Sequence, residues 1–291
     1  MLKQLMLLSM VVFFFGCSSD QPKEIRIATN SWIGYSPLFY ANETGELKKL
    51  NMKLVTNVSL AEASDIFEVA KAELVTTTQH EYFSLKESVK NVIPIILIDR
   101  SDGGDMILSN RTQEQLYKDE TIYAYLESDS INNELLAAFL EKKKLTHKNI
   151  VYINEDQLQI SDLDNNTDKS MLIVTYSPYN LKLETKGFKE LASTKDINSL
   201  IVIDALCAKT SIYKTEKKRL QELKIIIDNA IEEINTNPQK VYKLVAKYLD
   251  NMSYEEFLDS LNSIKWINKN PPQELMEKIE HLGYKEAVLI K

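Results

Sequence analysis

The chain has 291 residues, 44% apolar and 26% charged, with a net charge of −7 and a pI near 5.3. An acidic balance argues against nucleic acid, whose phosphates call for basic patches, and the run Glu141-Lys142-Lys143-Lys144 reads as a solvated helix end. Only seven glycines are present, none in a GxGxxG or GxxxxGK[ST] phosphate loop, and His80, His147 and His281 lie too far apart in sequence for zinc-ligand spacing, so neither nucleotide chemistry nor a metal is expected.

In chain order, Lys3 precedes an apolar run from Leu5 to Phe15 that is broken only by Ser9. That run is too short for a membrane span, which needs about twenty residues, and it reads as a secretion signal. Gly16-Cys17-Ser18-Ser19 follows, and the whole resembles a bacterial lipoprotein signal. The resemblance implies a signal peptide over 1–16, acylation of Cys17, a tether over 17–23 and a lipid anchor on the outer side of a membrane. Cys207 is the only other cysteine, so no disulfide framework is expected, and it reads as a small buried hydrophobe.

From Glu24, KEIRIATN alternates as a strand, SWIGYSP forms a turn, and residues 37 to 49 read as a helix with Pro37 in its first turn. MKLVTNV and ELVTTT are strands, LAEASDIFEVAKA and HEYFSLKESVK helices, and NVIPIILID a long apolar strand covered on both faces. After SDGGDMILSN a second cycle begins: strand TIYAYLES, a helix from Ser130 to Lys144, strand NIVYIN, a polar segment, strand SMLIVTY and the turn SPYN. LIVIDALCAKT is a further strand, and from Lys214 the pattern is helical to the end. Strands alternating with helices predict largely parallel sheets, and two successive cycles predict two lobes.

Several of these stretches carry a family resemblance. IRIATNSWIGYSPLFYANETGEL resembles the opening of the nitrate, sulfonate, taurine and thiamine-precursor group of ABC-transporter solute-binding proteins, through Trp32, Gly34, Tyr35, Pro37 and Gly45. RSDGGDMILSN resembles that group's crossover into the second lobe, IVTYSPYNLKLETKGFKEL its second-lobe ligand turn, and VIDALCAKT its return crossover. The resemblance implies an α/β type 2 periplasmic-binding fold with a two-segment hinge and a helical C-terminal tail. Lobe 1 is expected over 24–104 plus 206–291 and lobe 2 over 105–205, with Asp105 and Asp204 at the hinge.

A ligand cleft belongs at the carboxyl ends of the strands. Ser31, Trp32, Gly34, Tyr35, Thr76, Thr77, Ser128, Tyr176 and Tyr179 are its expected lining. The turn before Pro37 and hydroxyls including Ser36 and Ser130 suit an anion such as a sulfonate or nitrate, with Arg100 the nearest expected cation. The aromatic residues would equally suit a flat pyrimidine-like ring or a cation.

The chain departs from the group at two places. Ala70-Lys71-Ala72-Glu73 replaces a Gly-x-x-Asp, and Tyr176-Ser177-Pro178 replaces an aromatic-Glu-Pro, which removes a carboxylate that would hold an amine. The expected function is capture of a small molecule for an ABC permease, with no catalytic residues and no cofactor. The alternatives are a ligand sensor docking on a membrane receptor, or an enzyme on the same fold. The latter is disfavoured by the secretion signal and by the absence of a nucleophile–base set.

Overall fold

The computed structural model describes residues 23–197, 199–269, 271, 273–281, 284 and 287–290. The signal segment, Cys17 and most of the tether lie outside the described residues. Eleven strands are present among those described: β1 (Ile25–Asn30), β2 (Met52–Asn57), β3 (Leu74–Thr77), β4 (Val92–Ser101), β5 (Asp105–Ser109), β6 (Thr121–Leu126), β7 (Asn149–Asn154), β8 (Met171–Tyr176), β9 (Lys189–Ser193), β10 (Ile203–Lys209) and β11 (Ile264–Trp266). They form two sheets, each at the centre of one lobe. The first has order β11-β4-β10-β3-β1-β2 and the second β7-β6-β8-β5-β9.

β4 is buried at nine of its ten positions, as its apolar run predicts for a central strand covered on both faces. β7, by contrast, is an edge strand with exposed residues along its length. Two first-cycle helices start on a hydroxyl cap. Ser59 accepts from the Glu62 amide, and Thr78 and Glu81 form a reciprocal capping box at the helix Gln79–Ser88. In the second lobe Ser130 accepts from the Asn132 amide at the start of Ile131–Lys142.

The sheets are mixed, which corrects the expectation of largely parallel pairing. β10 runs antiparallel to both β3 and β4, and β5 antiparallel to both β8 and β9. The reason lies in the connections: β5 and β10 are the strands by which the chain enters one lobe from the other, so each inserts from the opposite end to its neighbours. The short β5 and β9 were hidden inside stretches read as crossovers and turns, and β11 inside a tail read as helical throughout. β11 is only three residues long and adds to the β4 edge by pairing Ile264 with Ser101.

Two chain segments cross between the sheets, Asp102–Gly104 and residues 194–202. β10 begins at Ile203, inside the span expected for the second lobe. Thr194 ties the crossings together, its hydroxyl 2.8 Å from that of Ser101 and 2.8 Å from the Gly103 amide, which donates to it. The C-terminal tail packs back on the first lobe. Its longest helix, Lys217–Thr236, buries Leu220, Leu223, Ile227, Ile231 and Ile234, a helical stripe packed in the core that also contains Leu38 and Phe39 of the helix Ser36–Glu43. Farther along the tail, the Ser263 carbonyl accepts from the Asp102 and Gly104 amides, which pins the crossover.

Candidate functional site

The lobes touch along one face, where the carboxyl ends of β1, β3, β6 and β8 meet. The contacts are polar and specific. Asn30 Nδ2 donates to Tyr176 Oη at 3.1 Å, the Ile131 amide donates to Glu81 Oε1 at 3.3 Å, and His80 Nδ1 lies 2.9 Å from Glu134 Oε1. The Trp32 indole meets the Tyr176 ring edge-on, with centroids 6.0 Å apart.

Between them lies a narrow cavity with about 20 Å³ of water-accessible space, lined from lobe 1 by Asn30, Trp32, Leu60, Thr78, Glu81 and Asp204. Lobe 2 and the crossings supply Asp105, Glu127, Ser130, Ile131, Asn132, Tyr176 and Val202. Four carboxyl groups thus face one small space, and no Lys, Arg or His lines it among the described residues.

Of the residues expected from sequence, Trp32 and Tyr176 line this cavity, as do Asp105 and Asp204, which were expected at the hinge. The Trp-x-Gly-Tyr turn acquires a physical explanation behind it. Trp32 Nε1 donates to Asp99 Oδ1 at 3.3 Å, and Tyr35 Oη donates to the Asp204 carboxylate. Gly34 leaves room for that network, since a Cβ there would sit 2.1 Å from Asp99 Oδ2. Gly104 does the same for the indole, its Cβ position being 2.4 Å from Trp32 Cη2.

Ser130 also lines the cavity, its hydroxyl donating to the Glu127 carbonyl at 2.8 Å, and the remaining expected residues lie elsewhere. Thr76 bonds Thr29 and Thr77 contacts Cys207 Sγ, both fully buried within the first sheet. Ser36 Oγ donates to the Ile33 carbonyl at 2.6 Å and so satisfies itself locally. Ser31 and Tyr179 line a separate, wider and more open groove that also has walls from both lobes, with Val58, Glu62, Leu158 and Lys247. Ser128 sits at the strand end with its amide donating to Asn154 Oδ1. Arg100 is spent on Asp102 at 3.0 Å, at the surface and away from the cavity.

The electrostatics are those of desolvated acids. Burial, with Glu81 and Asp156 nearby, pushes the Glu127 carboxyl up to about 8, and burial with the charge of Glu81 raises Asp105 to about 6. Burial likewise raises Asp99, and burial together with Asp99 raises Asp204. These two residues are cross-strand neighbours on β4 and β10, so burial and mutual repulsion both oppose placing a second negative charge on the pair. Burial raises the Cys207 thiol to about 12, which leaves it unreactive.

Sequence reasoning missed Asn30, Glu81, Glu127 and Asn132. Two were within reach of the strand-end rule, because Asn30 is the last residue of β1 and Glu127 directly follows β6. Glu81 was masked by its capping role. No group of three or more His, Cys, Asp or Glu side chains among the described residues has metal-binding geometry, and no described helix is long and apolar enough to cross a membrane.

No protein-family model and no curated protein matches the sequence. Solved structures do match it. The chain has the two-lobe fold of ABC-import solute-binding proteins. One neighbour is the ligand-binding component of an ABC-type import system from Staphylococcus aureus, with zinc bound, at TM-score 0.70 and 12% identity over 91% of this chain and 92% of that one. A second is the periplasmic aliphatic sulphonate-binding protein SsuA from Escherichia coli, at TM-score 0.69 and 14% identity over 91% and 93%. The periplasmic nitrate-binding protein NrtA from Synechocystis PCC 6803 aligns at TM-score 0.64 and 11% identity over 82% and 70%. These include the sulfonate and nitrate binders that the opening motif resembles. At such identities the likeness establishes the fold.

Proposed function

We propose that this protein captures a small molecule between its two lobes and presents it to an ABC permease, and that it does no chemistry on it. The observation that carries this reading is the cavity, built from both lobes and bounded by hydrogen bonds that exist only when the lobes meet. A ligand contacting both sides would favour the closed arrangement by its differential affinity for it. Catalysis has little support, because the hydroxyl–carboxylate contact at the cavity, Thr78 Oγ1 donating to Glu81, is spent on the helix capping box, and the other acids are placed as binding groups. Trp32, Tyr176, Asn30, Asn132, Asp105 and Glu127 are the ligand-contact residues of this reading. Asp105 and Asp204 flank the hinge, and Ser31, Tyr179 and Ser128 lie at its margin.

Native purification followed by mass spectrometry of the released small molecules tests it. A single compound should co-purify near one per chain and be lost on Trp32→Ala. A chain that carries nothing, and whose radius of gyration does not change with a mixed small-metabolite extract, would count against capture. Delivery outside the cell by a lipid anchor on Cys17 is part of the same proposal, supported by the lipobox-like sequence. Its test is detergent phase partitioning: the natural chain should enter the detergent phase, and Cys17→Ser should leave it in water. Ligand sensing through a receptor would share this cleft, and transport is preferred because the structural neighbours belong to import systems.

A further inference from the structure

Resting on the capture reading, we propose that the cavity takes a small organic cation, a primary or methylated ammonium group with a short apolar substituent, and that Glu127 and Asp105 are its carboxylate partners. This departs from the anion suggested by the opening motif.

Three independent features of the geometry point to it. The first is the composition of the lining, with Glu81, Asp105, Glu127 and Asp204 all at least nine-tenths buried. The chain's four arginines are engaged elsewhere: Arg26 with Glu73, Arg100 with Asp102, Arg111 with the Thr167 and Asp168 carbonyls, and Arg219 with Glu216 and the Leu50 carbonyl. A buried anion beside these acids would lack any compensating charge.

The second is the state of the second-lobe helix N-terminus at the cavity. The helix Ile131–Lys142 starts at the cavity wall, but its first amide already donates to Glu81 of the opposite lobe. A carboxylate of the protein therefore holds the position a sulfonate or nitrate would need.

The third is a set of polar atoms without partners. Asn30 Oδ1, Asp105 Oδ2 and both amide atoms of Asn132 find no hydrogen-bond partner among the described residues, although these side chains are 1%, 5% and 1% exposed. Buried polar atoms are nearly always satisfied, and here three of the four are oxygens that accept. An ammonium group brings up to three N–H donors and no acceptor, which matches the three oxygens and leaves the Asn132 Nδ2 donor to a water or to an acceptor elsewhere on the ligand. Trp32 and Tyr176 add π faces, and Leu60, Ile131 and Val202 add apolar walls for methyl or methylene groups. At about 20 Å³ the closed space matches roughly one water, so it seats the ammonium head alone, and the substituent requires the lobes to part slightly along the Leu60, Ile131 and Val202 side.

The carboxylate that the Tyr176-Ser177-Pro178 turn lacks is thus supplied from other strand ends. Titration provides a signature of charge. Glu127 faces Glu81, Asp156 and the phenols of Tyr176 and Tyr179, none of them cationic, and is largely protonated at neutral pH. A cation settling beside it favours the ionised form, so binding expels a proton; an anion would draw one in.

Isothermal titration of the purified chain, at neutral pH and in two buffers of different ionisation heat, decides the matter. The probes are propylamine, tetramethylammonium, choline and putrescine against propanesulfonate, nitrate and bicarbonate, each to about 10 mM. At least one cation should bind with proton release, and Glu127→Gln should weaken it about tenfold or more while the variant still melts cooperatively. Asp105→Asn should act in the same direction. Asp105 borders the hinge, so the proton-release sign in the natural chain stands as a readout that needs no substitution. An anion that binds, silence from all four cations, or undiminished cation binding in Glu127→Gln would each overturn the charge assignment. A bound anion that compacts the chain would overturn it while leaving capture intact, whereas capture itself stands or falls on the co-purified compound.

Discussion

The two walls of the cavity are built on different principles. On the first-lobe side the polar groups are mostly engaged in their own lobe: Trp32 is held by Asp99, Tyr35 by Asp204, and Glu81 by Thr78, with two glycines shaped around the result. On the second-lobe side Asn132 has no partner for either amide atom, and Glu127 keeps only the Gln157 amide, at 3.2 Å. The first wall leaves Asn30 Oδ1 and Asp99 Oδ2 without partners but is otherwise tied together, whereas the second offers its side-chain groups largely unengaged. Changes to the first should therefore be felt as stability and changes to the second as ligand affinity.

The largest expected effect is on the first wall. Gly34→Ala forces a methyl group into Asp99 and the indole nitrogen, which are buried and bonded to each other, and should cost about 3 kcal/mol in urea denaturation. A variant that melts within a degree or two of the natural chain would remove the distinction between the walls.

Next comes Glu127→Gln, which should show the reverse profile. The folded carboxyl titrates near 8 against an ordinary 4.5, so the native state holds a proton that the unfolded chain gives up between those values. Stability should accordingly fall as pH rises from 4.5 to 8, and the glutamine variant, still able to accept from the Gln157 amide, should flatten that slope. It should be no less stable than the natural chain at pH 8. Thermal melts across pH check this, and a slope unchanged by the substitution would mean Glu127 is not the group responsible.

A smaller effect belongs to the seam between the walls. The hydrogen bond to Glu134 raises His80 above its usual 6.5, so its contribution to closure is full below 6.5 and is lost as pH climbs through the raised value. Both partners are partly exposed, so the contribution is under about 1 kcal/mol. Interlobe distance measured by paired fluorophores should show Glu134→Gln opening the lobes at pH 6 and leaving them unchanged well above the His80 titration.

The smallest effect is Arg100→Ala. Its ion pair with Asp102 is at the surface, so stability should change by less than about 0.5 kcal/mol and ligand affinity not at all. An affinity loss would return a cation to the site and favour an anionic ligand after all.

How much of this was legible beforehand differs between fold and site. The Trp32-Ile33-Gly34-Tyr35 turn, the hydroxyl-capped helices and the covered β4 run were readable because each depends on residues close together in the chain. The antiparallel entry of β5 and β10 was not, because strand direction follows from which lobe the chain has just left. Trp32 and Tyr176 were placed at the cavity by strand-end logic. Thr76 and Thr77 end a strand too, yet they turn inward to Thr29 and Cys207.

The sequence by itself determined an α/β chain in two cycles, with a Trp-x-Gly-Tyr turn after its first strand and a lipobox-like opening, since composition and local periodicity need no partner to be read. Only the tertiary structure decided that acids from four separate segments converge, with Glu81 some 46 positions before Glu127 and Asp204 farther still. Charge at a site is a sum over groups that sequence distance scatters and folding collects, and burial then alters each group's proton affinity. For that reason the outline of the device was written along the chain, and the sign of its cargo was written across it.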